Sequence, residues 1–184
     1  MKKEFIGGKR SLVVSAAALI AVALLVLSPS AFGQETGFVV TSPAFKEGAM
    51  IPGEYSCTGR NISPPLKWEG LPEGCVSIAI VMDDPDAPGG TWLHWLIWNI
   101  DPAPGEIPKA LDAAAIGATV GKNSWRKAQY DGPCPPSGTH RYRFNVYALS
   151  EKVDLESGSG KRSLMKAIKD ITLAEFTLTG RYSK

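Results

Sequence analysis

Hydrophobic and polar positions change character along the chain. From Leu12 to Leu27 the run LVVSAAALIAVALLVL carries no charge, with Lys2, Lys3, Lys9 and Arg10 before it and SPSAFGQ after it. Beyond residue 34, proline and glycine punctuate the sequence densely. Short apolar or alternating runs lie between them: FVVTS (38–42), VSIAIVMD (76–83), WLHWLIWNI (92–100), RYRFNVYAL (141–149) and AEFTLTGRY (174–182). Short strand-like runs separated by turn signals predict a mainly β domain, an antiparallel β-sandwich. RSLMKAIKD (162–170) has helical spacing through Leu164, Met165 and Ile168, so one or two short helices are expected near the C-terminus.

Two runs carry more in their periodicity. In RYRFNVYAL, Tyr142, Phe144, Val146 and Ala148 alternate with Arg141, Arg143, Asn145 and Tyr147, the pattern of a strand with one face on a core. In WLHWLIWNI, Trp92, His94, Leu96, Trp98 and Ile100 fall on one face and Leu93, Trp95, Ile97 and Asn99 on the other. Both faces are apolar, so this strand is expected to be central, with His94 pointing where Trp92 and Leu96 point. A histidine there needs a partner, because leaving a buried polar group unpaired costs about 1–3 kcal/mol.

The basic start, the apolar run and the Ala31-x-Gly33 exit read as an export signal over residues 1–33, cleaved before Gln34. A single domain over 34–184 would follow. The run is short against the roughly 20 residues of a bilayer span, though left uncleaved it would be an anchor. Export implies a periplasmic or secreted location. It also changes the charge. The chain is formally +2, but four of its 20 basic residues and one of its 18 acidic residues precede residue 34, leaving 16 against 17. Nothing basic enough for a nucleic-acid footprint remains. Cys57, Cys75 and Cys134 all fall in the exported part, where one bridge and one free thiol are expected. Cys57 and Cys134 stand in glycine- and proline-rich loops and are the favoured pair, the other pairings staying open. Cys75 sits at a strand entrance, where a buried free thiol is common.

Candidate chemistry concentrates in two places. DDPDAPGGTWLHW (83–95) sets Asp83, Asp84 and Asp86 among prolines just ahead of His94. The only other histidine, His140, begins a strand behind YDGPCPPSGT (130–139), a loop stiffened by Pro133, Pro135 and Pro136. Two such loops meeting at one end of a sandwich would enclose a small rigid cavity with two imidazoles and an acid. DPDAP followed by HW, then GPCPPSGTHRY, resembles the phosphatidylethanolamine-binding proteins, or Raf-kinase-inhibitor-like proteins, most nearly the short bacterial YbhB/YbcL type. CTGRNISPPLKWEGLP (57–72) and GKNSW (121–125) extend the resemblance over nearly all of 34–184.

That resemblance implies a sandwich of Greek-key type with a small anion pocket at one end and no metal or cofactor. Carried over by motif, the ligand-binding residues would be Asp84 from DPDAP, Trp92 and His94 from WLHW, Cys134, Pro135 and Pro136 from GPCPP, and His140 and Tyr142 from HRY. Asp86, Pro88, Gly132 and Pro133 would shape the loops. Ile171 stands where many relatives carry a histidine near the pocket. A carboxylate beside His94 would favour its imidazolium form, and the amides of Ser137, Gly138 and Thr139 could point at an anion.

The expected function is non-catalytic binding of a small anionic or phosphorylated ligand of the phospholipid head-group type, with modulation of another protein as one outcome. The alternative is inhibition of a protease or kinase-type partner through the pocket rim. Weak hydrolysis by Asp84 and His94 ranks below both, because no G-x-S-x-G marks a nucleophile. No H-x-x-x-H or paired-cysteine spacing marks a metal site. A protein partner, a second copy of the chain and a membrane reached through a head group or the N-terminal run stay open as partners.

Overall fold

The alternation in RYRFNVYAL becomes a long strand, Thr139–Leu149, whose Tyr142, Phe144, Val146 and Ala148 are all fully buried. The structure is a computed structural model that describes residues 37–184 and Met1; the expected export signal lies outside the described residues. In chain order the elements are β1 (Val39–Thr41), β2 (Leu66–Glu69), β3 (Ser77–Asp84), β4 (Trp92–Ile100), β5 (Glu106–Ile107), β6 (Thr119–Val120), β7 (Thr139–Leu149), α1 (Lys161–Ile168) and β8 (Thr172–Ser183). One three-stranded sheet has the order β1-β2-β5 and one five-stranded sheet the order β6-β4-β3-β7-β8, and every pair within them is antiparallel. Among the described residues no helix is long and apolar enough to cross a membrane.

The two sheets form a sandwich. Val40, Leu66 and Trp68 from the small sheet share one buried cluster with Ile80, Met82 and Phe144 from the large one. The large sheet's other face packs Ala79, Val81, Leu96 and Trp98 against Leu164 and Ile168 of α1. This explains why β3 is buried at every position and β4 is apolar on both faces. Asp83 sits on the helix side of β3 at 1% exposure, where it accepts from Arg143 Nε at 2.9 Å and from Lys161 Nζ at 2.8 Å. A buried carboxylate needs such partners. Lys161 opens α1, so the ion pair pins the start of a helix whose N-cap, Gly160, supplies no side-chain acceptor.

β4 departs from strict alternation at His94. Met82 pairs with Trp95 but Asp83 pairs with Leu93, which makes His94 an extra residue in the ladder. Bulges of this kind re-aim side chains. Leu96 and Trp98 pack under α1, whereas the His94 ring meets Tyr142, with ring centroids 5.2 Å apart. The expectation that His94 points where Leu96 points is therefore corrected by one inserted residue. A second irregularity lies between Ile78 and Ile80, opposite a segment in which Asn99 has φ 63°. It returns Ile100 to the sandwich core with Trp95 and Ile97, rather than to the face of Trp98.

Candidate functional site

At one end of the sandwich the β3–β4 connection, the start of β4 and the loop before β7 enclose a cavity of about 230 Å³. Asp84 and His94 supply its polar side chains, Pro88, Trp92, Trp125 and Pro136 its bulk, and Ala87, Gly89 and Cys134 the remainder. Trp92 and Trp125 meet edge to face with centroids 5.3 Å apart, and the Trp125 ring also meets His94 at 5.0 Å. Both tryptophans are partly exposed, at 37% and 39%.

Asp84 and His94 are each held by a partner distant in sequence. His94 Nδ1 lies 2.7 Å from the carbonyl oxygen of Asp131. A carbonyl only accepts, so Nδ1 carries the proton. The Asp131 carboxylate in turn accepts from Asn123 at 2.7 Å, from Gln129 at 3.0 Å and from Asn61 at 3.2 Å, which fixes its own loop. Asp84 accepts the Asp86 N–H at 2.8 Å on one oxygen and His140 Nδ1 at 2.7 Å on the other. Asp84 is thus committed to His140, not to His94. Burial is the dominant influence on His94 and holds its pKa below the ordinary 6.5, against the Asp131 and Gly132 carbonyls and the charges of Asp84 and Asp131. The Asp84 charge favours the imidazolium as expected, but burial outweighs it, so the net direction is toward the neutral ring.

The remaining candidates divide. His140 is buried against Asp84 but lines a neighbouring recess with Asp86, Thr139, Arg141 and Arg181, outside the cavity that His94 lines. Pro135 is buried behind the wall, and Tyr142 lies beneath His94 without lining the cavity. The Tyr142 hydroxyl is buried with no hydrogen-bond partner, and burial together with the Asp84 charge pushes its pKa up. Pro136 is the one residue of the 136–139 turn that reaches the cavity, so Ser137, Gly138 and Thr139 do not line it. Ile171 packs beside α1 in the second cluster, away from the cavity. Trp125 was not among the sequence candidates, although its GKNSW context was visible. Asn123 positions it by accepting the Trp125 and Lys127 amides on its side-chain oxygen, at 3.0 and 3.1 Å.

Covalent and ionic ties brace the rim. Cys57 and Cys134 form a disulfide, and Cys75 is the free thiol. The Cys57 N–H donates to the Pro133 carbonyl at 3.1 Å. Asp86 accepts from the Arg141 backbone N–H and from its guanidinium at two points, which locks the DPDAP loop to the start of β7. These bonds hold the Asp86 carboxyl well below its ordinary value of 3.8. A carboxyl depressed in the fold stabilises above its unfolded pKa and loses that contribution as pH falls toward the folded value. Asp86→Asn is therefore expected to lower the melting temperature at neutral pH, with the deficit shrinking on acidification through and below 3.8; an equal deficit at every pH would show that charge is not the cause.

The comparisons with known proteins fit this geometry. The model of the family described as phosphatidylethanolamine-binding protein matches residues 41–183. The chain belongs to that family. A UPF0098 protein of Methanothermobacter thermautotrophicus is 44% identical over 144 residues, covering 77% of this chain and 95% of the relative. Among solved structures, a phosphatidylethanolamine-binding protein homologue from Chlamydia trachomatis superposes with a TM-score of 0.77 at 35% identity, covering 81% of this chain and 99% of the other. YbcL of E. coli, described as a member of the mammalian family, gives 0.74 at 33% identity, with 80% and 98% covered. The resemblance read from DPDAP, HW and GPCPP is the family that the whole domain matches.

Proposed function

We propose that this family member is a non-catalytic binder that takes a small anionic head group of the phosphate type into the Asp84–His94 cavity, and that it works outside the cytoplasm. One observation carries the ligand reading: an apolar, aromatic-walled recess whose floor holds a histidine with one ring nitrogen unspent. His94 Nε2 has no protein partner, yet it is absent from the buried orphans, which among the described residues are Trp98 Nε1 and the Tyr142 hydroxyl. It is therefore reached from the cavity, where a ligand or water completes it. Apolar walls with a few convergent polar groups are the usual build of a small-molecule site. At about 230 Å³ the space suits a head group better than a whole lipid. The family description supports a phosphate-type ligand, and the N-terminal composition supports export.

The test is a two-dimensional NMR titration of the protein with phosphate and phosphoethanolamine, held near the ordinary histidine pKa of about 6.5. Shifts are expected at His94, at the Trp92 and Trp125 indoles and in the loop around Cys134. His94→Ala should keep the fold and bind at least tenfold more weakly. Unchanged spectra at millimolar ligand would remove the anion reading and turn attention to protein partners at the rim.

A further inference from the structure

The two polar side chains at the cavity floor, Asp84 and His94, are both acceptors, and the side-chain donors on its wall are the indole N–H groups of the partly exposed Trp92 and Trp125. His94 spends its proton on the Asp131 carbonyl, so Nε2 presents a lone pair. Asp84 already accepts from Asp86 and His140. Among the described residues no lysine or arginine lines the cavity. Arg141, the guanidinium beside the DPDAP loop, is turned to Asp86. The other groups set around His94 do not change this. Asp131 comes from the 121–136 loop with its carboxylate tied to amides, Tyr142 from β7 and Trp125 from beside Asn123. At Asp84 and His94 an anion with only acceptor oxygens would meet a carboxylate and a lone pair with nothing to offer either.

We propose that the cavity selects a head group carrying its own acidic proton, a phosphate monoester in its singly ionised form, whose O–H donates to Asp84 or to His94 Nε2 while its other oxygens face the mouth. This rests on reading the cavity as the ligand site, and it adds which protonation state is bound. A short O–H···O⁻ bond is among the strong hydrogen bonds. A site built to pair one polar group discriminates sharply against an analogue that lacks it. Phosphate monoesters lose their second proton near pH 6 and sulfate monoesters have none to give. Above that pH, binding must recover a proton from solvent, so the apparent affinity should fall about tenfold for each further pH unit.

The experiment is isothermal titration calorimetry of the full chain with methyl phosphate, methyl sulfate and ethanolamine. Methyl phosphate should bind at least tenfold tighter than methyl sulfate at about pH 6, and it should weaken about tenfold between pH 7 and 8. Buffers of differing ionisation enthalpy should report uptake of one proton at the upper pH. Equal affinity for the phosphate and the sulfate would overturn selection by the ligand's proton while leaving an anion pocket standing; if both tightened together on acidification, protonation of His94 would be the cause instead. Ethanolamine binding tighter than methyl phosphate would assign the acceptors to an ammonium and overturn the proposal. Binding of none of the three would remove this inference and the ligand reading together.

Discussion

Replacing Cys57 and Cys134 together by serine should destabilise the domain by about 4–5 kcal/mol. The bridge joins residues separated by 77 positions, and in the chain-entropy treatment a loop of that length removes about this much freedom from the unfolded chain. The native side gives the bridge further work. Cys57 follows the Gly53–Tyr55 turn of 3₁₀ helix and Cys134 lines the candidate cavity, so the bond fastens the N-terminal loop to that cavity's wall. Its neighbours reinforce the junction, since Cys57 N–H donates to Pro133 and Tyr130 Oη donates to the Tyr55 carbonyl at 2.8 Å. Urea denaturation with and without a reducing thiol reads the effect as a shift in midpoint at constant slope. Reduced wild type should match the double serine variant. A midpoint shift equivalent to less than about 1 kcal/mol would mean that the reduced chain keeps this junction closed without the bond. Cys75→Ser, which removes the free thiol at the entrance to β3, is the matched control.

The sequence was most informative where the physics is local. Tyr142, Phe144, Val146 and Ala148 announce a one-sided strand because side chains on a strand alternate, and all four are buried. The double apolar face of WLHWLIWNI announces two cores, and two were found. Alternation could not reveal the bulge at His94, and a one-residue slip in register exchanges the faces of everything beyond it. The candidacy of His94 is legible in the sequence, while its direction is not. Partners were least visible. Asp84 takes His140 from 56 positions away, and His94 takes the Asp131 backbone from 37 away. A backbone carbonyl leaves no mark in the residue pattern, whereas a nearby carboxylate does, so the pattern points to an acid for His94. β5 and β6 have two residues each, too few to show any period. LKWE, which forms β2, does alternate, but four residues among prolines and glycines are a weak signal.

Gly132→Ala should disable the site and the fold's closed end together, at a cost of about 3 kcal/mol, the upper part of the range for inserting a methyl into filled space. The reason is close backbone approach, since its φ is not left-handed. A methyl on Gly132 would lie well inside contact distance of the Tyr55 carbonyl oxygen and 2.9 Å from the Ser56 Cα. Backbone cannot swing aside as a flexible side chain can, so one loop must move. That Tyr55 oxygen is also the acceptor for Tyr130, and the Gly132 N–H donates to Asn61 Oδ1 at 2.7 Å. On either side of the glycine are the Asp131 carbonyl that holds His94 and the Pro133 carbonyl that holds Cys57. A shift large enough to admit the methyl would loosen the tie that sets the tautomer of His94. Gly89 stands on the same rim with nothing within 4 Å of the methyl it would gain, so Gly89→Ala should change stability by no more than about 0.5 kcal/mol. Thermal unfolding of the two variants and ¹⁵N spectra of the His94 ring give separate readings. Loss of stability and of the Nδ1–H tautomer signal in Gly132→Ala alone would place His94 under the control of this contact. Wild-type stability in that variant would mean that the Tyr55 and Asp131 segments yield at little cost and that the loop is not held by close packing.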